Sequence, residues 1–315
     1  VYKEESMTEV RRPTSEELNA CLTQAAKVID TARGPVEYAE RGQGPPLLCV
    51  HGGPGGYDQG LVLGEFFRAN GFKTIALSRP GYLGTPLTTG SSPEDQAAVL
   101  AALLDALDIP AAPVMGASAG GPSSYLLAAL YPDKVSALIE IDSVCLTYKP
   151  EVSPLQAKLY LSKAGIWLTR FFLDHFPETT IKSFLKTEST LDRQEITERA
   201  KHILGDEGKF TYLKLLIATM SERFEHRQAG VRNDLTHFAA ITQLPLASVA
   251  CPTLIIQGTA DKDVTPNHAE YAHATISGSD LYWIEGGSHI GFWAADDADA
   301  AQEYALSWLR DKMGL

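Results

Sequence analysis

The sequence predicts an α/β protein, a mostly parallel sheet with helices on both faces. Three observations carry this. Short apolar runs alternate with runs of helical periodicity up to residue 147 and again over 245–315. Strand–helix–strand order of this kind requires right-handed crossovers between parallel strands. Residues 148–244 interrupt the alternation with helix formers and aromatics and no strand pattern, which predicts a helical insertion. Such an insertion follows the C-terminal end of a strand, the side where open sheets bind ligands, and so is expected to be a cap over a substrate pocket.

Residues 1–30 are expected to form an N-terminal extension or helix. "GPVEYAERG" (34–42) predicts an edge strand, and "PPLLCVHGG" (45–53) and "FKTIALSRPG" (72–81) predict buried strands. "SPEDQAAVLAALLDALDI" (92–109) has Ser92 as a candidate cap and Pro93 at the first helical position, with apolar residues at helical spacing as far as Pro110. "APVMGAS", "AGGPSSYLLAALYP" and "VSALIEIDSV" then predict strand, helix and strand. After the insertion come "CPTLIIQG", "PNHAEYAHATI", "SDLYWIEGG" and an amphipathic final helix, "DDADAAQEYALSWLRDKM".

Composition narrows the function. The net charge of -12, with no Lys/Arg cluster, argues against nucleic acid and anionic lipid as partners. No charged residue lies between Ile109 and Pro132, a stretch long enough to span a bilayer. It contains Pro110, Pro113, Pro122, Gly116, Gly120 and Gly121, however, and that many breakers predict buried soluble structure instead. Four scattered cysteines without a C-x-x-C pair read as free thiols, and the N-terminus lacks the apolar core of a signal peptide. A cytoplasmic protein with a small-molecule substrate is expected; a homodimer stays open. No cofactor is implied. His268 and His273 lie five apart, too far round a helix to share a metal, so none is expected.

Gly116-Ala117-Ser118-Ala119-Gly120 lies between a predicted strand and a predicted helix. A sharp turn there holds the serine hydroxyl at the strand tip, and the N–H of Ala119 begins a helix facing developing negative charge. The glycine-rich "HGGPGG" (51–56) can turn a backbone N–H toward a reacting carbonyl, with Gly53 as the expected donor and Ala119 as the second. His289 lies in a glycine-rich turn past the last strand and is the candidate base. Asp261, three residues after Gly258, is the candidate acid; Asp263 and Asp142 are the alternatives. His51, Trp167, Phe171 and Trp293 are the expected pocket residues.

Together "HGGPGG", "SRPGY", "GASAGG", "GTADKDVTP" and "GGSH" make the sequence resemble the α/β-hydrolase superfamily over about residues 34–147 and 244–315. The resemblance implies an eight-stranded, mostly parallel sheet with a cap inserted after the sixth strand. It also implies a Ser118–His289–Asp261 triad and an oxyanion hole from the Gly53 and Ala119 amides. "HGGPGG" is similar to the loop of proline iminopeptidases, which usually carry tryptophan after the serine where this chain has Ala119. The expected activity is hydrolysis of a small or medium ester or lactone. The alternatives are an aminopeptidase binding a substrate ammonium through Glu222 or Glu225, a carbon–carbon bond hydrolase, and a slow-turnover ligand receptor.

Overall fold

The computed structural model describes residues 10–149 and 163–315. Eight strands form one sheet in the order β1-β2-β4-β3-β5-β6-β7-β8. They are β1 (Lys27–Thr31), β2 (Gly34–Arg41), β3 (Pro46–Val50), β4 (Lys73–Leu77), β5 (Ala112–Ala117), β6 (Val135–Ile141), β7 (Thr253–Gly258) and β8 (Asp280–Ile284). From β4 to β8 every pairing is parallel, whereas β1–β2 and β2–β4 are antiparallel.

β2, expected at the edge, is in fact flanked by β1 on one side and β4 on the other. β1 is the true edge and lies within the segment expected to be extension or helix. Its half-exposed "KVIDT" buries too little apolar surface to show a clear strand pattern, and its register comes from the tight return at Thr31–Gly34. The same segment does hold a helix, α1 (Ser15–Thr23), started by a capping box between Thr14 and Glu17.

Period-two alternation sends neighbouring strand residues to opposite faces. Leu47, Cys49, Ile139, Ile141, Leu254 and Ile256 join one apolar cluster, with α2 (Tyr57–Ala69) and α1. Leu48, Val50, Leu138 and Ile255 join the other, against α3 (Pro93–Ala106) and α4 (Gly121–Leu130). α3 starts as its sequence requires, with Pro93 first and the Ser92 hydroxyl accepting from the Asp95 N–H.

Between β6 and β7 the described chain forms α5 (Lys163–His175), α6 (Pro177–Glu188), α7 (Arg193–Gly205), α8 (Glu207–Ser221) and α9 (Gln228–Phe238). The helical insertion therefore follows the sixth strand. The core resumes with α10 (Asn267–Thr275), the short α11 (Gly291–Ala294) and the closing α12 (Ala298–Met313). None of the described helices is long and apolar enough to cross a membrane.

Candidate active site

Ser118 follows β5 directly, at the C-terminal edge of the sheet, and adopts φ 52°, a left-handed conformation that costs a side-chain-bearing residue energy. The strain thus falls on the serine, not on the flanking glycines. Those glycines provide room. A Cβ on Gly116 would sit 2.2 Å from Ser124 Oγ and 2.5 Å from Glu140 Oε2, and one on Gly120 would sit 2.7 Å from the Val50 carbonyl oxygen. A side chain at Gly116 would therefore strike those of Ser124 and Glu140, and one at Gly120 would strike the backbone at the end of β3.

The structure brings Ser118, His289 and Asp261 into one hydrogen-bonded line. His289 Nε2 lies 2.9 Å from Ser118 Oγ, and its Nδ1 lies 2.8 Å from Asp261 Oδ2. An ionised carboxylate only accepts, so Nδ1 carries the proton and Nε2 is left to accept from the serine hydroxyl. Asp261 is buried, and its other oxygen, Oδ1, accepts the N–H groups of Asp263 (2.8 Å) and Val264 (3.0 Å). Its orientation is therefore fixed by the backbone.

Asp263 lies on the other side of the ring. Its Oδ2 is 3.6 Å from His289 Nε2, and its Oδ1 accepts from the Tyr148 hydroxyl at 2.6 Å. Asp142, at the end of β6, accepts from the Gly258 N–H at 2.8 Å, and burial together with the charge of Asp261 pushes its carboxyl well above the usual range. For His289, burial of the ring opposes protonation. The charge and hydrogen bond of Asp261, aided by Asp263, outweigh it and raise the imidazole well above its ordinary value.

The strip of cap that follows α6 touches this site. The Ser189 region bridges to Asp261, Thr190 N–H donates to the Ala260 carbonyl, and Lys262 N–H donates to that of Glu188. Burial, with the negative charges of Asp263 and Asp261, pushes the Glu188 carboxyl up to about 7. Nothing in the sequence marked Glu188, because its proximity to His289 arises only from the docking of α6.

Gly53 and Ala119 are neighbours. A Cβ on Gly53 would meet that of Ala119 at 3.2 Å. His51 is not a pocket residue. It is fully buried, its Nε2 accepts from the Arg79 N–H at 2.9 Å, and its Nδ1 donates to the Gly52 carbonyl at 2.6 Å. Burial and the nearby charges of Arg79 and Arg227 hold this ring well below the usual histidine range, hence neutral.

Trp293 is also core. Its ring is 4% exposed, packs edge-on to Phe292 and donates Nε1–H to the Leu63 carbonyl at 3.2 Å. Phe171 lies on α5, stacked on His175, in a groove bordered by Asn19, Leu22 and Leu215 and not by the Ser118 line. An apolar ring at helical spacing satisfies either role, which is why the sequence did not separate them. Trp167 lies on α5, but its side chain is outside the described residues.

Fold and site together define a hydrolase class. Residues 45–296 match the α/β hydrolase fold family, and the chain belongs to that family. Among its relatives is the uncharacterized hydrolase YcgS of Bacillus subtilis, 28% identical over 91% of this chain and 99% of that protein. An α/β hydrolase fold protein from Nakamurella multipartita is 38% identical with TM-score 0.84, covering 91% of this chain and 99% of that one. A thermophilic esterase from Thermogutta terrifontis shares the fold at 20% identity and TM-score 0.62, over 91% of this chain and 99% of that one.

Proposed function

We propose that the protein is a serine hydrolase that cleaves a small or medium carboxylic ester or lactone through an acyl-enzyme on Ser118. The observation that carries this reading is the continuous line from Asp261 through His289 to a strained serine at a strand tip, at 2.8 and 2.9 Å. A neutral hydroxyl is a weak nucleophile, and a base at hydrogen-bonding distance overcomes this by taking its proton as the new bond forms.

Ser118 Oγ attacks the acyl carbon while its proton passes to His289 Nε2. The carbonyl electron pair moves onto oxygen, where the N–H groups of Gly53 and Ala119 receive the charge. The intermediate collapses, the bond to the leaving oxygen breaks, and His289 returns its proton to the departing alkoxide. Water then repeats the sequence: His289 takes its proton, the hydroxide attacks the acyl carbon, and Ser118 leaves reprotonated with the acid as product. In each half the imidazolium is balanced by Asp261.

The esterase from Thermogutta terrifontis that shares the fold supports the substrate class, and the proposal is tested by a fluorophosphonate label with peptide mapping, beside Ser118→Ala. Labelling at Ser118 and loss of nitrophenyl-ester hydrolysis in the variant are expected. A label elsewhere, or activity surviving in the variant, overturns the proposal.

A further inference from the structure

We propose that Asp234, a residue of the cap, is a positioning residue that aims the Gly53 N–H into the oxyanion site by holding Arg79 against the Gly52 carbonyl. This rests on the reading of Ser118 as nucleophile and Gly53 as oxyanion donor.

The argument begins with peptide geometry. The Gly52 carbonyl and the Gly53 N–H belong to one planar unit, and across a trans bond they point in opposite directions. Whatever fixes the carbonyl therefore aims the N–H. Two donors fix it from behind: His51 Nδ1 at 2.6 Å and Arg79 Nη2 at 3.2 Å. Arg79 Nε also donates to the His51 carbonyl at 3.1 Å, so one guanidinium grips two successive carbonyls of the loop. The Gly53 N–H itself meets no protein acceptor among the described residues.

The guanidinium is held in turn by α9. Arg79 Nη1 and Nη2 reach Asp234 Oδ1 and Oδ2 at 3.1 and 2.8 Å, a two-pronged contact that sets the plane of the group as well as its position. Gln96 Oε1 takes a further bond at 3.1 Å, and the Tyr82 hydroxyl donates to Asp234 Oδ2 at 2.6 Å. Both charged side chains are almost fully buried, 1% and 5% exposed, so water cannot replace either partner. The same helix is anchored to the same loop through its backbone, where the Gly230 N–H donates to the Gly81 carbonyl at 2.8 Å. Docking of α9 and the direction of the Gly53 N–H are thus set by one connected group of contacts.

Asp234→Asn keeps the side-chain shape, removes the charge and turns one acceptor into a donor facing Arg79. The expected result is a fall in kcat of about ten-fold or more with KM within about three-fold, since an oxyanion donor acts in the transition state. Affinity for an alkyl trifluoromethyl ketone, whose hemiketal oxygen occupies the same site, should weaken in parallel. A crystal structure of the variant should show the Gly52–Gly53 peptide rotated. Because the lone Arg79 charge could prevent folding, the double variant Arg79→Met/Asp234→Leu removes both charges together and is expected to lose kcat similarly. Unchanged kcat and ketone affinity in either variant, with only a lower Tm or a raised KM, overturns the inference. Failure of wild-type Ser118 to react with a fluorophosphonate would instead fell the nucleophile assignment, and the peptide orientation in the variant crystal would still decide the positioning claim.

Discussion

Asp261→Asn replaces one carboxylate oxygen by an amide NH2, and the backbone around the side chain dictates how the amide sits. Oδ1 of Asp261 accepts two N–H groups, from Asp263 and Val264, so the amide oxygen must occupy that position. The amide nitrogen is then left facing His289 Nδ1, where a carboxylate oxygen stood at 2.8 Å. Two donors cannot face each other. The imidazole shifts its proton to Nε2, which now points a hydrogen at Ser118 Oγ, 2.9 Å away, in place of a lone pair. The base is lost while the geometry is kept. Where an asparagine forces this tautomer in another serine hydrolase, kcat falls about 10⁴-fold, equivalent to about 5 kcal/mol of barrier. Steady-state hydrolysis of a nitrophenyl ester, with circular dichroism to show the fold intact, measures it. Activity within about ten-fold of wild type would refute the reasoning, the more so if Asp263→Asn abolished turnover.

Three other outcomes follow from the same contacts. With His289 raised by its carboxylates, the acidic limb of kcat/KM should lie above the ordinary histidine value of 6.5. Asp263→Asn should move that limb to lower pH without abolishing activity, and an unmoved limb counts against the role of Asp263. Glu140 is fully buried, and burial pushes its carboxyl up to about 8 despite bonds from Ser124 and Ser143. Its folded-state pKa exceeds its unfolded one, so its contribution to stability is complete below about 4.5 and is lost as pH rises through about 8. Glu140→Gln should therefore lessen the alkaline decline in Tm, by on the order of a few kcal/mol in unfolding free energy at pH 9; parallel wild-type and variant curves would contradict this. Finally, Asp58→Ala leaves the fully buried Arg227 without its 2.6 Å partner and should cost about 3–5 kcal/mol in urea unfolding. Adding Arg227→Met should recover much of that loss.

Where a residue's place in the fold is encoded locally, the sequence was informative. Ser118 lies between a wholly buried strand and a helix, and His289 and Asp261 lie in turns just past strand ends, so a short window around each carries its position. The sheet was legible for the same reason, apart from β1, whose half-exposed residues show little alternation in hydropathy. α2 went unremarked: its polar residues Asp58, Gln59 and Glu65 are buried rather than lining an exposed face. What could not be read was pairing at a distance. Arg79 and Asp234 are 155 residues apart and Arg227 and Asp58 are 169, and no spacing rule connects them. A ring buried in the core and a ring lining a groove follow the same pattern, so the sequence did not separate the buried Trp293 from Phe171.

The central proposal is a covalent one, that the acyl group passes through Ser118. Acid quench of the enzyme during turnover of a nitrophenyl ester, followed by mass spectrometry of the peptide containing residues 116–120, tests it most directly. The account predicts the mass of the acyl group on Ser118, and its absence from Ser118→Ala. Turnover at full rate with no acyl adduct on that peptide, or with the adduct on another residue, would contradict it.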